Sequence, residues 1–314
     1  MHEKLDKIHS VTEQVNKIIL GKKHEVREIL LAILAGGHVL MEDIPGVGKT
    51  TMALAFSHTL SLSYKRVQFT PDVMPSDLTG FSIYKKDEER FVYQPGAVFC
   101  NLLLADEINR TSPKTQSALL EVMEEYKVTV DGVTRTVEKP FHVIATQNPQ
   151  GSAGTQSLPE AQMDRFMILL SLGYPDYDSE LAMAKAVSAE DKYSQLMPVL
   201  TKETLSMLQN EIYDIYISDG IYRYILDLVT ATRNNPYLEK GASPRATISL
   251  VKMAKSSAWY EGRDYVLPSD VSEQFGYVTA HRVTLTAAAK VEKLTKHQVL
   301  EEICKSVRRP PLGE

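Results

Sequence analysis

The chain has 314 residues, 43% of them hydrophobic, and a formal net charge of −5. That length allows two domains with real cores, and the acidic balance gives no electrostatic reason to expect nucleic acid or an anionic membrane as the main partner. Cys100 and Cys304 lie far apart and the eight histidines form no cluster at ligand spacing, which argues against a transition-metal site and fits reduced thiols in a cytoplasmic protein.

The N-terminal MHEKLDKIHS is charged and lacks the apolar core of a signal peptide. Residues 3–20 then carry apolar positions at helical spacing (Leu5, Ile8, Val11, Val15, Ile18, Ile19), with Gly21 as the stop. A second helix, 24–35, ends at Gly36-Gly37; its apolar run is too short to span a bilayer, so no membrane insertion is expected. HVLME (38–42) reads as a strand and KTTMALAFSHTL (49–60) as a helix, which gives a glycine loop the strand–loop–helix context a phosphate site requires. NLLLAD (101–106) and FHVIAT (141–146) are apolar runs of strand length, separated by a helix with Ser112 as N-cap and Pro113 in its first turn. Alternating strands and helices predict an α/β fold with a parallel sheet flanked by helices. Two hairpins decorate its rim: 81–96, with a charged tip, and 128–137, with Asp131-Gly132 at the turn. After residue 173 the pattern becomes helical (201–217, 219–233, 244–260, 268–280, 291–307), a smaller all-helical second domain. The division is 1–173 and 174–314. Lys22-Lys23 and Arg308-Arg309 read as solvated faces, and Trp259 as packing.

The stretch EDIPGVGKTT (42–51) departs from G-x-x-x-x-G-K-[ST] in one place, since Asp43 stands at the first glycine. Asp tolerates turn and left-handed backbone, so Asp43 marks where the chain leaves the strand; its carboxylate repels phosphates unless it points away. Pro45, Gly46, Val47 and Gly48 bend the loop around the phosphates, Lys49 reaches the β- and γ-phosphates, and Thr50, followed by Thr51, offers a hydroxyl to Mg²⁺. LLLADE (102–107) adds Asp106 as a Mg²⁺ ligand and Glu107 as the base that deprotonates water; taken alone, the pair reads equally as a solvated acidic loop. IATQNP (144–149) delivers Asn148 to the same sheet edge, where its amide can bind the γ-phosphate or position the water; otherwise it is a turn residue before Pro149. Three strands bringing polar groups to one edge define a phosphoryl-transfer site for ATP.

In the order EDIPGVGKT, LLLADEINR, ATQNP, LPEAQMDRF and GASPRA, the sequence resembles the MoxR family of AAA+ ATPases, over almost the whole chain from Gly21 onward. The Asp in the phosphate loop recurs in that family. The resemblance implies a P-loop AAA+ core followed by a helical lid, a ring that is usually hexameric, ATP bound between subunits, and chaperone-like action on protein clients, often ones with von Willebrand factor A domains. It gives Arg165 of MDRF the role of an arginine finger for the neighbouring subunit, the alternative being a surface salt bridge with Asp164 or Glu160. It makes Arg245 of GASPRA a second sensor reporting the γ-phosphate to the lid, the alternative being an ordinary first-turn arginine. Arg110 either contacts the adjacent subunit or anchors its own loop. Ile19, Leu20 and Gly21 sit where related ATPases wrap the adenine, and simple packing of the first helix is the alternative.

Three other functions compete with this one. A nucleic-acid motor or loader predicts basic or aromatic hairpin tips, whereas YKKDEER is of mixed charge and VDGVTR has one arginine and no aromatic. An activator ATPase acting on a sigma factor carries a GAFTGA-like loop, and nothing in residues 75–100 matches it. An ATP-switched, non-hydrolysing binding module does not need Glu107 and Arg165, which are both present.

Overall fold

A computed structural model describes residues 2–43, 46–148, 158–185 and 195–311. Helices α1 (His2–Ile18) and α2 (Lys23–Leu34) lead into strand β1 (Val39–Glu42), and helix α3 (Lys49–Thr59) follows the phosphate loop. Strand β2 (Tyr64–Gln68), helix α4 (Pro75–Thr79) and the hairpin β3 (Phe81–Lys85) and β4 (Arg90–Gln94) come next. Strand β5 (Leu102–Asp106), helix α5 (Pro113–Glu125), the hairpin β6 (Lys127–Val130) and β7 (Val133–Thr136) and strand β8 (His142–Gln147) continue the chain. One helical turn, α6 (Glu160–Met163), precedes strand β9 (Ile168–Leu170).

Five strands form one sheet in the order β2-β5-β8-β1-β9, with every neighbouring pair parallel. All residues of β5 and β8 are buried, as strands covered on both faces must be. Val39, Met41, Leu104 and Ile144 face the cluster that contains α1 and α3, while Leu40, Leu103, Ala105 and Val143 face Leu119 and Leu120 of α5. Strand β2 is not apparent in the sequence: Tyr-Lys-Arg-Val-Gln lacks an apolar run, and its half-exposed edge position explains why. Pairing with β5, in the register Gln68 opposite Asp106, makes it a strand.

The second part is helical: α7 (Tyr177–Lys185), α8 (Lys202–Tyr213), α9 (Asp219–Arg233), α10 (Pro244–Tyr260), α11 (Pro268–Thr279), α12 (Ala287–Val291) and α13 (Lys296–Ser306). Side-chain oxygens of Thr201, Ser218 and Ser243 accept first-turn N–H groups and set the starts of α8, α9 and α10. The helix expected over 291–307 starts later, at Lys296, because Thr295 and Gln298 form a reciprocal capping box. The lid also contains a two-stranded antiparallel ladder, β10 (Leu238–Lys240) with β11 (Thr284–Leu285). Its core is continuous with the first part: Ile8, Val15 and Leu31 share one apolar cluster with Leu205, Leu250 and Phe275, and Ser256 Oγ donates to Leu31 O at 2.8 Å. Among the described residues no helix is long and apolar enough to cross a membrane. Both cysteines are free, and burial pushes the Cys100 thiol up to about 12.

Two buried histidines stitch the edge of the sheet where the strands begin. Val143 N donates to His38 Nδ1 (3.0 Å), so His38 carries its proton on Nε2 and donates it to Met123 O (3.1 Å). His142 Nδ1 lies 2.9 Å from Gly37 O, and its Nε2 meets the Gln209 amide at 3.1 Å. Each ring is neutral and uses one nitrogen as an acceptor. Burial lowers His38 to about 3, with His142 contributing, and lowers His142 to about 4. Both folded values lie below the unfolded value of about 6.5, so the unfolded chain takes up protons that the folded chain refuses. The stabilisation is complete above that value and is lost as pH falls. Buried His281 is lowered in the same way, so denaturant unfolding between pH 6 and 5 should weaken with a slope of about three protons, ~4 kcal/mol per pH unit. A flat profile across that window would contradict neutral burial.

Candidate active site

At the edge where the strands end, β1 stops at Glu42 and Asp43 N donates to Gln147 O (3.3 Å). Pro45 lies outside the described residues. Gly46 (φ +90°) and Gly48 (φ +97°) are left-handed, and among the described residues, chain neighbours apart, no atom lies within 4 Å of where a Cβ would sit. Backbone conformation, not crowding, therefore demands glycine there. Gly48 caps α3 without a side-chain acceptor, so the first-turn N–H groups of Lys49, Thr50 and Thr51 form a donor set suited to an anion. Lys49 is buried, and its Nζ donates to the carbonyl of Asp43 at 3.1 Å. Half-buried Val47 packs against the α1–α3 cluster.

The Asp43 carboxylate points away from the glycine loop. It accepts Ser171 Oγ (2.6 Å), Leu172 N (2.8 Å) and Gly173 N (2.9 Å), all just beyond β9, and the residue is only 3% exposed. Its side chain thus anchors the loop to the neighbouring strand, and only its backbone faces Lys49.

Asp106, at the end of β5, accepts Thr146 Oγ1 (2.7 Å) on one oxygen and Arg66 Nη2 (2.6 Å) on the other. Glu107 follows in a left-handed conformation (φ 57°, ψ 46°), which a non-glycine residue holds only under constraint. The constraint is visible: Glu107 N donates to Thr146 Oγ1 (2.8 Å), Asn148 Nδ2 to its Oε1 (3.2 Å) and Arg110 Nη1 to its Oε2 (2.8 Å). Burial raises the Glu107 pKa, but the hydrogen bonds from Arg110 and Asn148 outweigh it and hold the carboxyl below its usual range. Within the chain, Arg110 is paired with Glu107 of its own loop. Among the described residues Asn148 Oδ1 is buried without a hydrogen-bond partner, while its backbone exchanges hydrogen bonds with Asn109.

Arg165 and Arg245 lie at the opposite edge. Met167 N donates to His38 O ahead of β1, which puts Arg165 where the strands begin. Glu124 ends α5 at that same edge, one residue after the Met123 carbonyl that binds His38. Arg165 Nε donates to Glu124 Oε2 (2.9 Å), and Arg245 Nη2 pairs with Glu124 Oε1. Hydrogen bonding to Arg165, with Arg245 adding its charge, holds the Glu124 carboxyl below its usual range. The partner of Arg165 is thus neither Asp164 nor Glu160. Asp164 binds Ser243 and the buried Arg282, and Glu160 binds Lys240 and Thr284.

The adenine candidates divide. Ile19 is buried in the apolar cluster with α1, and Leu20 is half-buried. Gly21 (φ +73°) sits against Ser179 and Asp176, and Lys22 Nζ donates to Tyr174 O at 2.9 Å, so the 21–22 turn is fastened to the segment after β9. Arg66, Thr146, Glu124 and the 171–173 turn are contributors that sequence reasoning missed. Thr146 had a signal, a hydroxyl in an otherwise apolar strand; Arg66 had none, because its strand is not legible.

The donor set fits a polyphosphate with Mg²⁺. Among the described residues no group of three or more His, Cys, Asp or Glu gathers into a metal cage. Mg²⁺ needs none, since one or two protein oxygens suffice for it, and those of Thr50 and Asp106 could supply them here.

Residues 38–168 match the family model described as "ATPase family associated with various cellular activities (AAA)", and residues 230–303 match the AAA lid domain. The fold and site are thus those of an AAA ATPase with its lid. The chain is 45% identical to the uncharacterized protein YeaC of Bacillus subtilis over 298 residues, covering 95% of this chain and 93% of that one. It is 37% identical to Chaperone MoxR1 of Mycobacterium tuberculosis, covering 96% and 81%. A crystal structure from Cytophaga hutchinsonii, named for a proposed ATPase activity, superimposes with a TM-score of 0.91 at 40% identity, covering 98% and 96%. The chain belongs to the MoxR family of AAA+ ATPases.

The geometry of Asp43 yields a test. Asp43→Ala leaves the buried Leu172 N–H, the half-buried Gly173 N–H and a hydroxyl without an acceptor, which should cost about 3 kcal/mol in denaturant unfolding. Nucleotide affinity should fall with it, because the loop loses its tether. Were the carboxylate instead repelling phosphates, the substitution would tighten binding.

Proposed function

We propose that the chain hydrolyses ATP with Mg²⁺ at sites shared between copies of itself in a ring, in the cytoplasm, and uses the cycle to remodel or activate protein clients. Residues 1–173 act as the nucleotide-binding core and 174–314 as the lid. One observation carries the reading: Lys49, Asp106, Glu107 and Asn148 gather at one edge of the sheet, while Arg165 and Arg245 gather at the other. Strands of three to six residues separate those edges, about 10–20 Å at the usual rise per residue. Two halves of a site that cannot meet in one chain are completed by a neighbour presenting its opposite face. Such head-to-tail contacts close into rings, a hexamer by resemblance to the family.

Within such a site each residue has a defined task. Lys49 and the α3 N-terminus hold the β- and γ-phosphates, and Asn148 orients the γ-phosphate and the attacking water. Glu107 accepts the proton of that water. Thr50 and Asp106 would hold Mg²⁺, which would supply charge neutralisation to the phosphates. Arg165 and Arg245 of the neighbour stabilise the charge that develops on the transferred group. A γ-phosphate sensed by Arg245 is then the neighbour's rather than its own.

The protein-client half of the reading is supported by a relative named as a chaperone; clients with von Willebrand factor A domains rest on resemblance alone. The β3–β4 hairpin adds exposed apolar surface, with Phe91 72% exposed and stacked edge-on with Tyr84 at 5.4 Å. Lys85 and Arg90 at its tip are both paired with Glu88, and Arg135 of the other hairpin covers the Tyr93 ring at 3.7 Å. Few hairpin cations are thus left for a phosphate backbone, which favours protein over single-stranded nucleic acid; a salt-dependent binding assay separates the two.

Lys49→Ala should abolish ATP binding. Glu107→Gln should bind ATP but turn it over ~10²-fold more slowly, and parental turnover would remove Glu107 as the base. Arg165→Ala should bind ATP normally and hydrolyse it poorly. Mixing it with Lys49→Ala subunits should restore activity, because an intact Arg165 then faces an intact phosphate loop. Co-assembled mixtures no more active than either parent would place the action of Arg165 within its own subunit.

A further inference from the structure

Arg165 and Arg245 come from different parts of the chain, one before β9 and the other in the first turn of lid helix α10, yet both end on the two oxygens of one carboxylate. We propose that Glu124 is a positioning residue, which holds the two guanidinium groups side by side as one anion receptor that a neighbouring copy's triphosphate completes. The proposal rests on the shared-site reading of Arg165 given above.

Three features support it. Two guanidinium groups close together repel, and a carboxylate between them offsets that repulsion while leaving the trio with net positive charge. Glu124 takes Arg165 at Nε, and among the described residues the two terminal nitrogens of Arg165 make no hydrogen bond. Those nitrogens form the fork that binds phosphate in pairs of hydrogen bonds. The third feature is that the trio does not hold the fold together. Side chains of Arg165, Arg245 and Glu124 are 30%, 43% and 44% exposed, and surface ion pairs contribute little stability. The lid is joined to the core beside them by a separate, buried set: Arg282 donates to Asp164, Phe166 O and Met167 O, and His281 meets Phe166 O. Glu124 is thus placed to align the arginines without being needed to dock the lid.

The test compares Glu124→Ala, Arg165→Ala and the double variant in the full chain, at concentrations where copies associate. Glu124→Ala should lower kcat about tenfold and leave KM for ATP, association and the melting temperature unchanged; adding it to Arg165→Ala should cost clearly less than that tenfold, because one of the two groups it aligns is already gone. Glu124→Gln, which keeps an acceptor for one arginine, should fall between Glu124→Ala and the parent. A parental or raised kcat in Glu124→Ala overturns the proposal, as does a loss traced to weaker association or a double variant whose defects multiply. Parental activity in Arg165→Ala is a different result, since it removes the shared-site reading itself.

Discussion

A parallel strand can be followed by another only after the chain has crossed back over a face of the sheet, so all five strands end on one edge and all crossovers return to the other. That polarity decides the chemistry of both edges. The ends of β1, β5 and β8 deliver the glycine loop, the Asp106–Glu107 pair and Asn148 to a single place. Helix α5 carries the chain back, and its last turn delivers Glu124 to the edge where Arg165 waits ahead of β9. The two halves of the proposed phosphoryl-transfer site are thereby separated by the height of the sheet.

The edge that would bind phosphate is built from buried polar groups that satisfy one another. Thr146 is the hub: its hydroxyl donates to Asp106 and accepts from Glu107 N, which ties the two acidic residues of β5 to the neighbouring strand. Arg66 and Arg110 each give one carboxylate a counter-charge. The left-handed backbone of Glu107 persists because three hydrogen bonds to that residue over-determine it. Asp43 extends the arrangement to β9, so the phosphate loop, both acidic residues and the sheet edge form one hydrogen-bonded frame with little freedom to shift independently.

The other edge is arranged in two layers. Inside, neutral His38 and His142 and the buried Arg282–Asp164 pair join strands, α5 and lid through groups whose charging or removal is expensive. Outside, the exposed trio of Arg165, Arg245 and Glu124 depends on that scaffold for its position but contributes little to it. Separating a rigid layer from a reactive one lets charge be held ready at the surface without the fold depending on its being paired there.

Much of this was legible in the sequence, because much of it is local. Glycine spacing around Gly46 and Gly48, the caps at Ser112 and Ser243, and apolar strands each ending in a polar residue are patterns within a few residues of one another, and backbone conformation follows from them directly. The helical character of the lid and the rim hairpins were readable for the same reason. What the tertiary structure alone decided lies in contacts between residues distant in the chain. Asp43 is turned from the phosphates by partners 128 to 130 positions away. The β2 strand exists only through β5, and with it Arg66 comes to Asp106. Ile19 is buried in an apolar cluster with residues of distant lid helices. Glu124 stands in an unremarkable run of helix formers, and nothing local distinguishes it from Glu125; only the end of α5 meeting the start of β9 and the first turn of α10 gives it two arginines. Sequence patterns carry the geometry of single elements, whereas the direction of a charged side chain depends on which distant donors the fold brings within hydrogen-bonding range.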